Sequence, residues 1–253
     1  MGKIWAVANQ KGGVGKSSVA VNVAVTLGGY GRRVLVCDLD PQGNAGDMLG
    51  VDVEGQRSWV EVYTGQVSVR DARVLGVAAG VDLVCAPENS ELAGVELGLV
   101  NIPARERWLA RVLEDQHDDY DLVVLDCPPS LGQLTTNALV AADRLIAPVK
   151  LTDAGAVKGI NQLHRTVLGL RDVGFDVALP EVILNFVDNR RLTVQAFREI
   201  VESMGLAVLN SEIPITAEID NSSAEGRPIV VRRRTHVGAH ALRCVALELD
   251  HAA

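Results

Sequence analysis

A lysine and a serine follow a cluster of glycines close to the start of the chain. Gly12, Gly13 and Gly15 come just before Lys16 and Ser17. Glycine adopts backbone conformations that other residues avoid, so such a turn can direct successive N–H groups inward and form a nest for an anion. An apolar segment precedes the turn, and a stretch with helical periodicity follows it, which places the nest at the positive end of a helix dipole. The pattern predicts a phosphate-binding loop.

The residues of this loop have separate roles in the prediction. Lys16 would reach the β- and γ-phosphates of a bound triphosphate, and the hydroxyl of Ser17 would ligate Mg²⁺, as in the GKS triplet of a P-loop. A glycine-rich turn with a chance lysine is the alternative, but the strand before the loop and the helix after it argue against that alternative. The predicted nucleotide-binding residues of the loop are Gly12, Gly13, Val14, Gly15, Lys16, Ser17 and Ser18.

Three aspartates are expected to complete the site, because each lies where a strand ends. Asp38 and Asp40 end an apolar segment, and alternation along an extended chain points their side chains in the same direction. Asp126 follows the apolar residues of DLVVLD, which has the form of a Walker B segment. Ligands of open α/β sheets bind at the carboxyl ends of strands, so Asp126 is expected to hold Mg²⁺ there through a coordinated water. Turn-forming or capping aspartates are the alternative.

Strand-length apolar segments recur along the chain and define the elements that must position these residues. The predicted strands cover 4–9, 33–38, 81–87, 121–128, 144–150 and 181–187. Several of them are apolar throughout, which is typical of strands covered on both faces. The sequence therefore predicts an α/β fold with a doubly wound, mostly parallel sheet flanked by helices. We expect one domain over 1–253, with an irregular segment at 50–80 decorating one edge.

Composition limits the class of protein. Of the 253 residues, 48% are hydrophobic and 22% are charged, so the chain can bury a sizeable core, and disorder throughout is excluded. No apolar segment approaches the roughly 20 residues that a membrane span needs, and the N-terminus has no signal-peptide pattern, which predicts a cytoplasmic protein. The net charge of −8 means that any polyanion must bind to a localised basic patch. The cysteines lack a CxxC pair and are expected in the core: Cys37, Cys85, Cys127 and Cys244.

The loop resembles the deviant Walker A motif of the ParA/MinD group of P-loop NTPases. In KGGVGKSS, the common GxxxxGK[ST] pattern would place glycine at Gln10, and the segment carries an additional lysine, Lys11. The NQ dipeptide before it is more similar to the ParA/Soj branch than to the MinD branch. The resemblance implies that Lys11 crosses a dimer interface to the nucleotide of the partner. A cation at that place would neutralise charge on the γ-phosphoryl oxygens.

The resemblance also implies roles for residues outside the loop. DLDPQGNA is similar to switch I of these ATPases, in which the first aspartate lies near Mg²⁺ and the second orients the attacking water. DCPPS resembles their switch II, and Asn185 and Pro214 resemble their adenine-contacting positions. ATP and Mg²⁺ are the implied cofactors. The implied catalytic residues are Lys11, Lys16 and Asp40, and the implied metal ligands are Ser17, Asp38 and Asp126.

The family pattern breaks in the region that would contact DNA. Members of the ParA type hold DNA through basic residues late in the chain, but Ile215 and Glu218 occupy positions where arginines would be expected. Two basic clusters nearby could bind phosphates without reading sequence. These clusters are Arg190 with Arg191, and Arg227, Arg232, Arg233 and Arg234 with His236. A solvated charged loop is the alternative.

The resemblance implies a Mg²⁺-dependent ATPase that forms a homodimer around two ATP molecules, binds nonspecific DNA in that state and is released by hydrolysis. A ParB-like or other adaptor would stimulate hydrolysis, and the cargo would be a plasmid, a chromosome or a protein assembly such as a carboxysome. The short tail with Glu248 and Asp250 argues against a membrane anchor, which leaves the cytoplasm and the nucleoid as predicted locations. One alternative is a dimerising scaffold with little DNA binding. The other is a reductase of the iron-protein type, which needs paired cysteines for its cluster.

Overall fold

The strand-forming segments of the chain come together in one sheet in the computed structural model, which describes residues 2–86, 91–151, 155–188 and 193–251. Within those residues the sheet has eight strands in the order β3-β4-β2-β5-β1-β6-β7-β8, and all neighbours are parallel except β3 and β4. The mostly parallel α/β fold is thereby confirmed. The strands are β1 Lys3–Val7, β2 Val34–Asp38, β3 Arg73–Ala78, β4 Val81–Val84, β5 Leu122–Asp126, β6 Arg144–Lys150, β7 Pro180–Asn185 and β8 Ala207–Val208.

Helices cover both faces of this sheet. Helices α1, α2, α10 and α11 contribute to the core on one face, and α3 to α8 contribute to the core on the other. Among the described helices, none combines the length and the apolar character required to cross a lipid bilayer. The helices are α1 Lys16–Gly29, α2 Asn44–Met48, α3 Trp59–Tyr63, α4 Glu91–Leu99, α5 Trp108–Leu113, α6 Gln133–Ala141, α7 Ala156–Asp172, α8 Thr193–Ser203, α9 Ala217–Ala224, α10 Ile229–Arg232 and α11 Val237–His251.

Strand β1 shows why the predicted strands are apolar throughout. Trp5 and Val7 pack into the core on the α1 side of the sheet, whereas Ile4 and Ala6 pack into the core on the opposite side. Successive side chains of a strand point to opposite faces, so a strand with two covered faces has no position left for a polar residue. The same division holds for β2 and β5.

Two strands have no counterpart in the sequence prediction. Strand β3 falls within the irregular segment 50–80 and lies at the edge of the sheet, antiparallel to β4. It is partly exposed, and Gly76 interrupts it, so it lacks the continuous apolar pattern of the central strands. Strand β8 has only two residues, which is too short for any periodicity to mark it.

The central strands bring the predicted site residues to one edge of the sheet. Strand β5 lies between β1 and β2. Val7 at the end of β1 pairs with Asp126 at the end of β5, and Asp38 at the end of β2 pairs with the same Asp126. Because the three strands are parallel, the loop after β1 and the two aspartates lie at the same end of the sheet.

Candidate nucleotide site

The loop between β1 and α1 follows a backbone path that favours glycine at two positions. Gly13 and Gly15 have φ angles of +69° and +87°, in the left-handed region that side chains disfavour. A Cβ atom on Gly15 would also clash with the side-chain amide of Asn185. Helix α1 begins directly afterwards at Lys16, so the loop leads into the positive end of a helix dipole. This arrangement is suited to an anion.

The side chains on either side of this turn are placed differently. Val14 and Lys16 are buried, whereas Ser17 and Ser18 in the first turn of α1 are half-buried. Only 6% of Lys16 is exposed, and its charge acts on the carboxylate of Asp126. A buried lysine beside a glycine-rich turn is positioned to meet a ligand that reaches the loop.

Asp126 lacks the partners that a buried carboxylate normally has. Both of its oxygens are buried, and neither has a hydrogen-bond partner among the residues that the structure describes. Buried polar groups are nearly always hydrogen-bonded, so each exception requires an explanation. Oxygen ligands are what Mg²⁺ prefers, and the Ser17 hydroxyl lies close enough to Asp126 to affect its pKa. The residues at this position therefore fit a bound Mg²⁺.

The electrostatics at the ends of β2 and β5 also favour a cation. Burial raises the pKa of Asp126 to about 7, with Asp40 acting in the same direction and Ser17 and Lys16 opposing it. Burial and the neighbouring Asp126 raise the pKa of Asp38 well above its ordinary value. Even with Lys16 beside Asp126, the charged form of each carboxylate is therefore unfavourable, and a further cation would stabilise it.

Asp38 differs from Asp126 because backbone donors already satisfy it. One carboxylate oxygen accepts the N–H of Asp40 at 3.1 Å, and the other accepts the N–H of Ala45 at 3.0 Å. The second oxygen also lies 3.4 Å from the N–H of Gly46. These bonds fold the predicted switch I segment back on the end of β2. Asp40 is buried and accepts the N–H of Gln42 at 3.1 Å.

Asn9 is a residue of the site that the sequence interpretation missed. Its side-chain oxygen accepts the N–H of Lys11 at 3.0 Å, and its amide donates to the carbonyl of Pro148 in β6 at 2.8 Å. The first bond is an Asx turn, which an asparagine directly before a turn could have indicated. Lys11 is half-buried and Gly12 is exposed, with open space where a Cβ atom would lie.

Asn185 and Pro214 reach the same edge of the sheet. The Asn185 amide donates to the carbonyl of Val14 in the loop at 2.9 Å, and its oxygen accepts the N–H of Phe186 at 2.9 Å. Pro214 forms an isolated parallel bridge with Val187, which extends β7 beyond Asn185. The structure therefore brings Asn185 into contact with the loop, and Pro214 lies next to the continuation of the same strand.

The basic cluster late in the chain is largely paired. Arg232 is 16% exposed and forms ion pairs with Glu225 and, at 3.1 Å, with Glu218. Arg233 forms an ion pair with Glu218 at 3.3 Å, whereas Arg227 and Arg234 are exposed. Two carboxylates hold the Arg232 guanidinium within the corner between α9 and α10, so Arg232 presents less free charge than its exposed neighbours, and its contact with DNA stays a prediction. The other predicted cluster, Arg190 with Arg191, lies outside the described residues.

The cysteines do not form a cluster. Cys37, Cys85 and Cys127 are buried at the ends of strands, and Cys244 is half-buried on α11. In the described part of the chain, no three His, Cys, Asp or Glu side chains are grouped so that they could hold a metal by themselves.

A glycine-rich loop after β1, an additional lysine within it and carboxylates at the ends of β2 and β5 define a P-loop NTPase of the deviant Walker A type. A family model described as an AAA domain matches residues 2–174. Sporulation initiation inhibitor protein Soj of Bacillus subtilis (strain 168) is 36% identical, and the match covers 98% of this chain and 98% of that protein. The chromosome partitioning protein ParA of Caulobacter vibrioides (strain NA1000 / CB15N) is 33% identical over 98% of this chain and 93% of its own.

A solved structure adds ligands to the comparison. Cobyrinic acid a,c-diamide synthase from Mycobacterium smegmatis, crystallised with an ATP analogue and magnesium, is 32% identical with a TM-score of 0.79. The match covers 99% of this chain and 95% of that one. The chain belongs to the ParA/Soj-like family of partition ATPases, as its loop predicted.

Proposed function

We propose that this chain is a Mg²⁺-dependent ATPase that pairs with a second copy around two ATP molecules, binds DNA without sequence preference in that state, and is released by hydrolysis. The observation that carries the proposal is the buried, unpartnered carboxylate of Asp126 beside Lys16 and Ser17. The ATP analogue and magnesium in the Mycobacterium smegmatis structure support it.

The loop and its neighbours would bind the nucleotide. Backbone N–H groups of the loop and the ammonium of Lys16 would hold the β- and γ-phosphates. Ser17 and Asp126 would hold Mg²⁺. Asp38 would lie beside the metal without binding it directly, since backbone N–H groups already donate to both of its carboxylate oxygens. The metal, when bound, would neutralise charge on the phosphates.

Hydrolysis would require a positioned water molecule. Asp40, buried next to Asp38, would accept a hydrogen bond from that water and orient it towards the γ-phosphorus. A bond would form between the water oxygen and phosphorus while the bond from phosphorus to the β,γ-bridging oxygen breaks, and the proton that the water loses would leave on the inorganic phosphate or be released to solvent. ADP and inorganic phosphate leave. In single-turnover measurements, Asp40→Ala should bind ATP but hydrolyse it far more slowly than the wild type.

Dimerisation would bring a second loop against the first. Gly12 is exposed, and nothing in the described chain lies within 4 Å of the place where its Cβ would be. Lys11, directly before it, would reach the γ-phosphate held by the partner. Shared contact with the γ-phosphate makes the dimer depend on ATP, so hydrolysis would separate the two copies.

DNA binding would rest on the exposed members of the late basic cluster. Arg227, Arg233 and Arg234 are exposed, whereas Arg232 is held by carboxylates. Arginines of this kind bind phosphates without reading sequence. Arg190 and Arg191 remain predicted contacts.

A ParB-like or other adaptor would stimulate hydrolysis. The cargo would be a plasmid, a chromosome or a protein assembly, and the ATP state would associate with the nucleoid.

A second candidate function is an ATP-dependent dimerising scaffold with little DNA binding. It is favoured by the pairing of Arg232 and Arg233 with Glu218, which reduces the free positive charge of the cluster, and by the net charge of −8. The reductase alternative is less well supported, since Cys37, Cys85 and Cys127 are buried core residues. Analysis of the purified protein for iron and sulfide would test it.

DNA binding measured with ATP, with ADP and without nucleotide tests the proposal. We expect retention of nonspecific duplex DNA only with Mg·ATP. Dimers that form with ATP but bind no DNA in any state would favour the scaffold. DNA binding that is equal in all three states would contradict nucleotide control.

A further inference from the structure

The carbonyl of Val14 has an unusual donor. A loop that turns its N–H groups towards a phosphate must turn carbonyls elsewhere, and each buried carbonyl then needs a donor of its own. Val14 is buried, and its carbonyl accepts a hydrogen bond from the side-chain amide of Asn185 at 2.9 Å. The donor comes from the end of β7, 171 residues further along the chain.

The orientation of the Asn185 amide is fixed by its two partners. Its nitrogen faces the Val14 carbonyl, and its oxygen accepts the N–H of Phe186 at 2.9 Å. A flipped amide would set oxygen against the carbonyl and NH₂ against the N–H, losing both bonds. The residue is only 5% exposed, and its own carbonyl accepts the N–H of Leu151 at 3.2 Å, so its backbone is also tied to the end of β6.

The surroundings of Asn185 hold this contact tightly. Gly15 approaches the amide so closely that a Cβ atom would clash with it. Phe186 has a φ of +55°, a left-handed conformation that is uncommon outside glycine and is often found at functional sites. The Lys150 ammonium lies 4.7 Å from the centroid of the Phe186 ring, which helps to keep that residue in place.

We propose that Asn185 is a positioning residue that holds the phosphate loop in its binding conformation through the Val14 carbonyl, whatever base the nucleotide carries. The inference rests on the proposed nucleotide binding. It differs from the adenine contact implied by the family resemblance, because a residue that acts through the loop affects the binding of the phosphates themselves. A residue that contacts only the base affects ligands that have a base.

The test compares two ligands in the full-length protein. Affinity for Mg·ATP is measured by calorimetry, and affinity for Mg²⁺ with tripolyphosphate, which has no base, is measured by displacement of bound ATP. The variant is Asn185→Ala, chosen because it is neutral and adds no charge near the phosphates. We expect it to weaken both ligands by a similar factor of about ten or more.

Asn137 offers a matched control. It is fully buried in α6, its amide donates to the Gln133 carbonyl at 2.8 Å, and its oxygen accepts the N–H of Leu109 at 3.0 Å. Asn137→Ala therefore loses the same two kinds of backbone bond away from the loop. It should lower the melting temperature but leave the affinity of both ligands unchanged.

Each outcome of this comparison has a separate meaning. Loss of affinity for ATP with unchanged tripolyphosphate binding, or no loss for either ligand, would overturn the positioning role. A wild-type protein that binds neither ligand would instead overturn the proposed function. Melting temperatures show whether each variant folds. If Asn185→Ala does not fold, Asn185→Ser is taken through the same comparison with the same expected result.

Discussion

Two charged regions of the molecule differ in how their charges are satisfied. At the end of the central strands, Asp126 is buried with both oxygens unpartnered by the described residues. At the corner between α9 and α10, Arg232 has two carboxylates, Glu218 and Glu225, and is more exposed. A buried carboxylate without a hydrogen-bond partner is costly and points to a ligand that supplies one, whereas an arginine held by two carboxylates is explained by the fold itself. Missing partners are therefore a better sign of a binding site here than the density of charge.

The largest effect is expected at the loop. Lys16→Ala removes the charged partner of the phosphates, so affinity for Mg·ATP should fall about a hundredfold or more. Lys3→Ala is the matched control, because Lys3 is an exposed lysine at the opposite end of β1. Calorimetry on both variants checks the prediction, and unchanged ATP affinity in Lys16→Ala would contradict the assignment of the loop.

Gly12→Val tests whether the loop meets a second copy. The valine has space within its own chain, so ATP binding should persist, but its added bulk should block ATP-dependent dimers. Gly29→Val serves as the control, since a Cβ on Gly29, at the far end of α1, also meets nothing within 4 Å. Analytical ultracentrifugation with a nonhydrolysable analogue measures the dimer. Dimers of normal affinity in Gly12→Val would place the interface elsewhere.

Replacing Asp126 should raise the stability of the fold but lower the contribution of Mg²⁺ to ATP binding. In Asp126→Asn a neutral amide replaces an unfavourable buried charge, so the free energy of unfolding without ligand should rise at pH 8 by about 1–2 kcal/mol. The same variant should lose most of the gain in ATP affinity that Mg²⁺ provides. Urea unfolding and titrations with and without Mg²⁺ measure the two effects. A less stable variant that keeps normal Mg²⁺ dependence would mean that Asp126 is a structural residue.

Substitutions in the late basic cluster should have different effects at exposed arginines and at Arg232, which is held by carboxylates. Replacing the exposed Arg227 and Arg234 by alanine should weaken DNA binding and reduce the salt dependence by about one unit of slope for each phosphate that no longer meets an arginine. Arg232→Ala should instead lower the melting temperature, because Glu218 and Glu225 lose a shared partner. Filter binding of DNA at several salt concentrations, together with melting temperatures, distinguishes the two kinds of variant. Equal salt slopes in all variants would remove this patch from the DNA surface.

The smallest effect is expected at Glu248, a carboxylate that has the donors Asp126 lacks. Burial acts to raise the pKa of Glu248, but hydrogen bonds, among them those from the N–H groups of Asn210 at 2.7 Å and Ser211 at 2.8 Å, lower it. A lowered pKa means that this carboxylate stabilises the fold above pH 4.5, its ordinary value, and that the contribution is lost as the pH falls through the folded-state pKa. Because solvent screens this partly exposed carboxylate, Glu248→Gln should cost only about 0.5 kcal/mol at pH 7.

The cost of Glu248→Gln should shrink under acid conditions. Unfolding by urea at pH 7 and at pH 3 measures how the free-energy difference between the variant and the wild type changes as the pH falls below 4.5. A cost that stays constant between the two pH values would show that packing, and not the charge of Glu248, provides the stability.

Local sequence was sufficient to predict the loop and the aspartates at the ends of β2 and β5. Each of these features is contiguous, and hydrophobic segments mark the strands that carry them. Other features depend on contacts between distant parts of the chain. Asn9 donates a hydrogen bond to Pro148, which is 139 residues further along the chain. The bond from Asn185 to Val14 joins residues that are 171 positions apart.

The pairing of Arg232 shows a second limit of prediction from local sequence. Counting charges along the chain indicated a basic cluster that could bind phosphates. It could not show that Glu218 and Glu225 pair with Arg232, because these residues meet only when α9 and α10 pack together. The edge strand β3 was missed for a related reason. Its exposed positions and Gly76 remove the apolar signal, and only its pairing with β4 defines it as a strand.

Whether two copies share the triphosphate is tested most directly by the solution mass of the wild-type protein, measured by light scattering with Mg²⁺ and either a nonhydrolysable ATP analogue or ADP. We expect a doubling of mass with the analogue and the mass of a single chain with ADP. A single-chain mass at saturating analogue, or a dimer that forms equally well without nucleotide, would contradict a triphosphate shared between two copies.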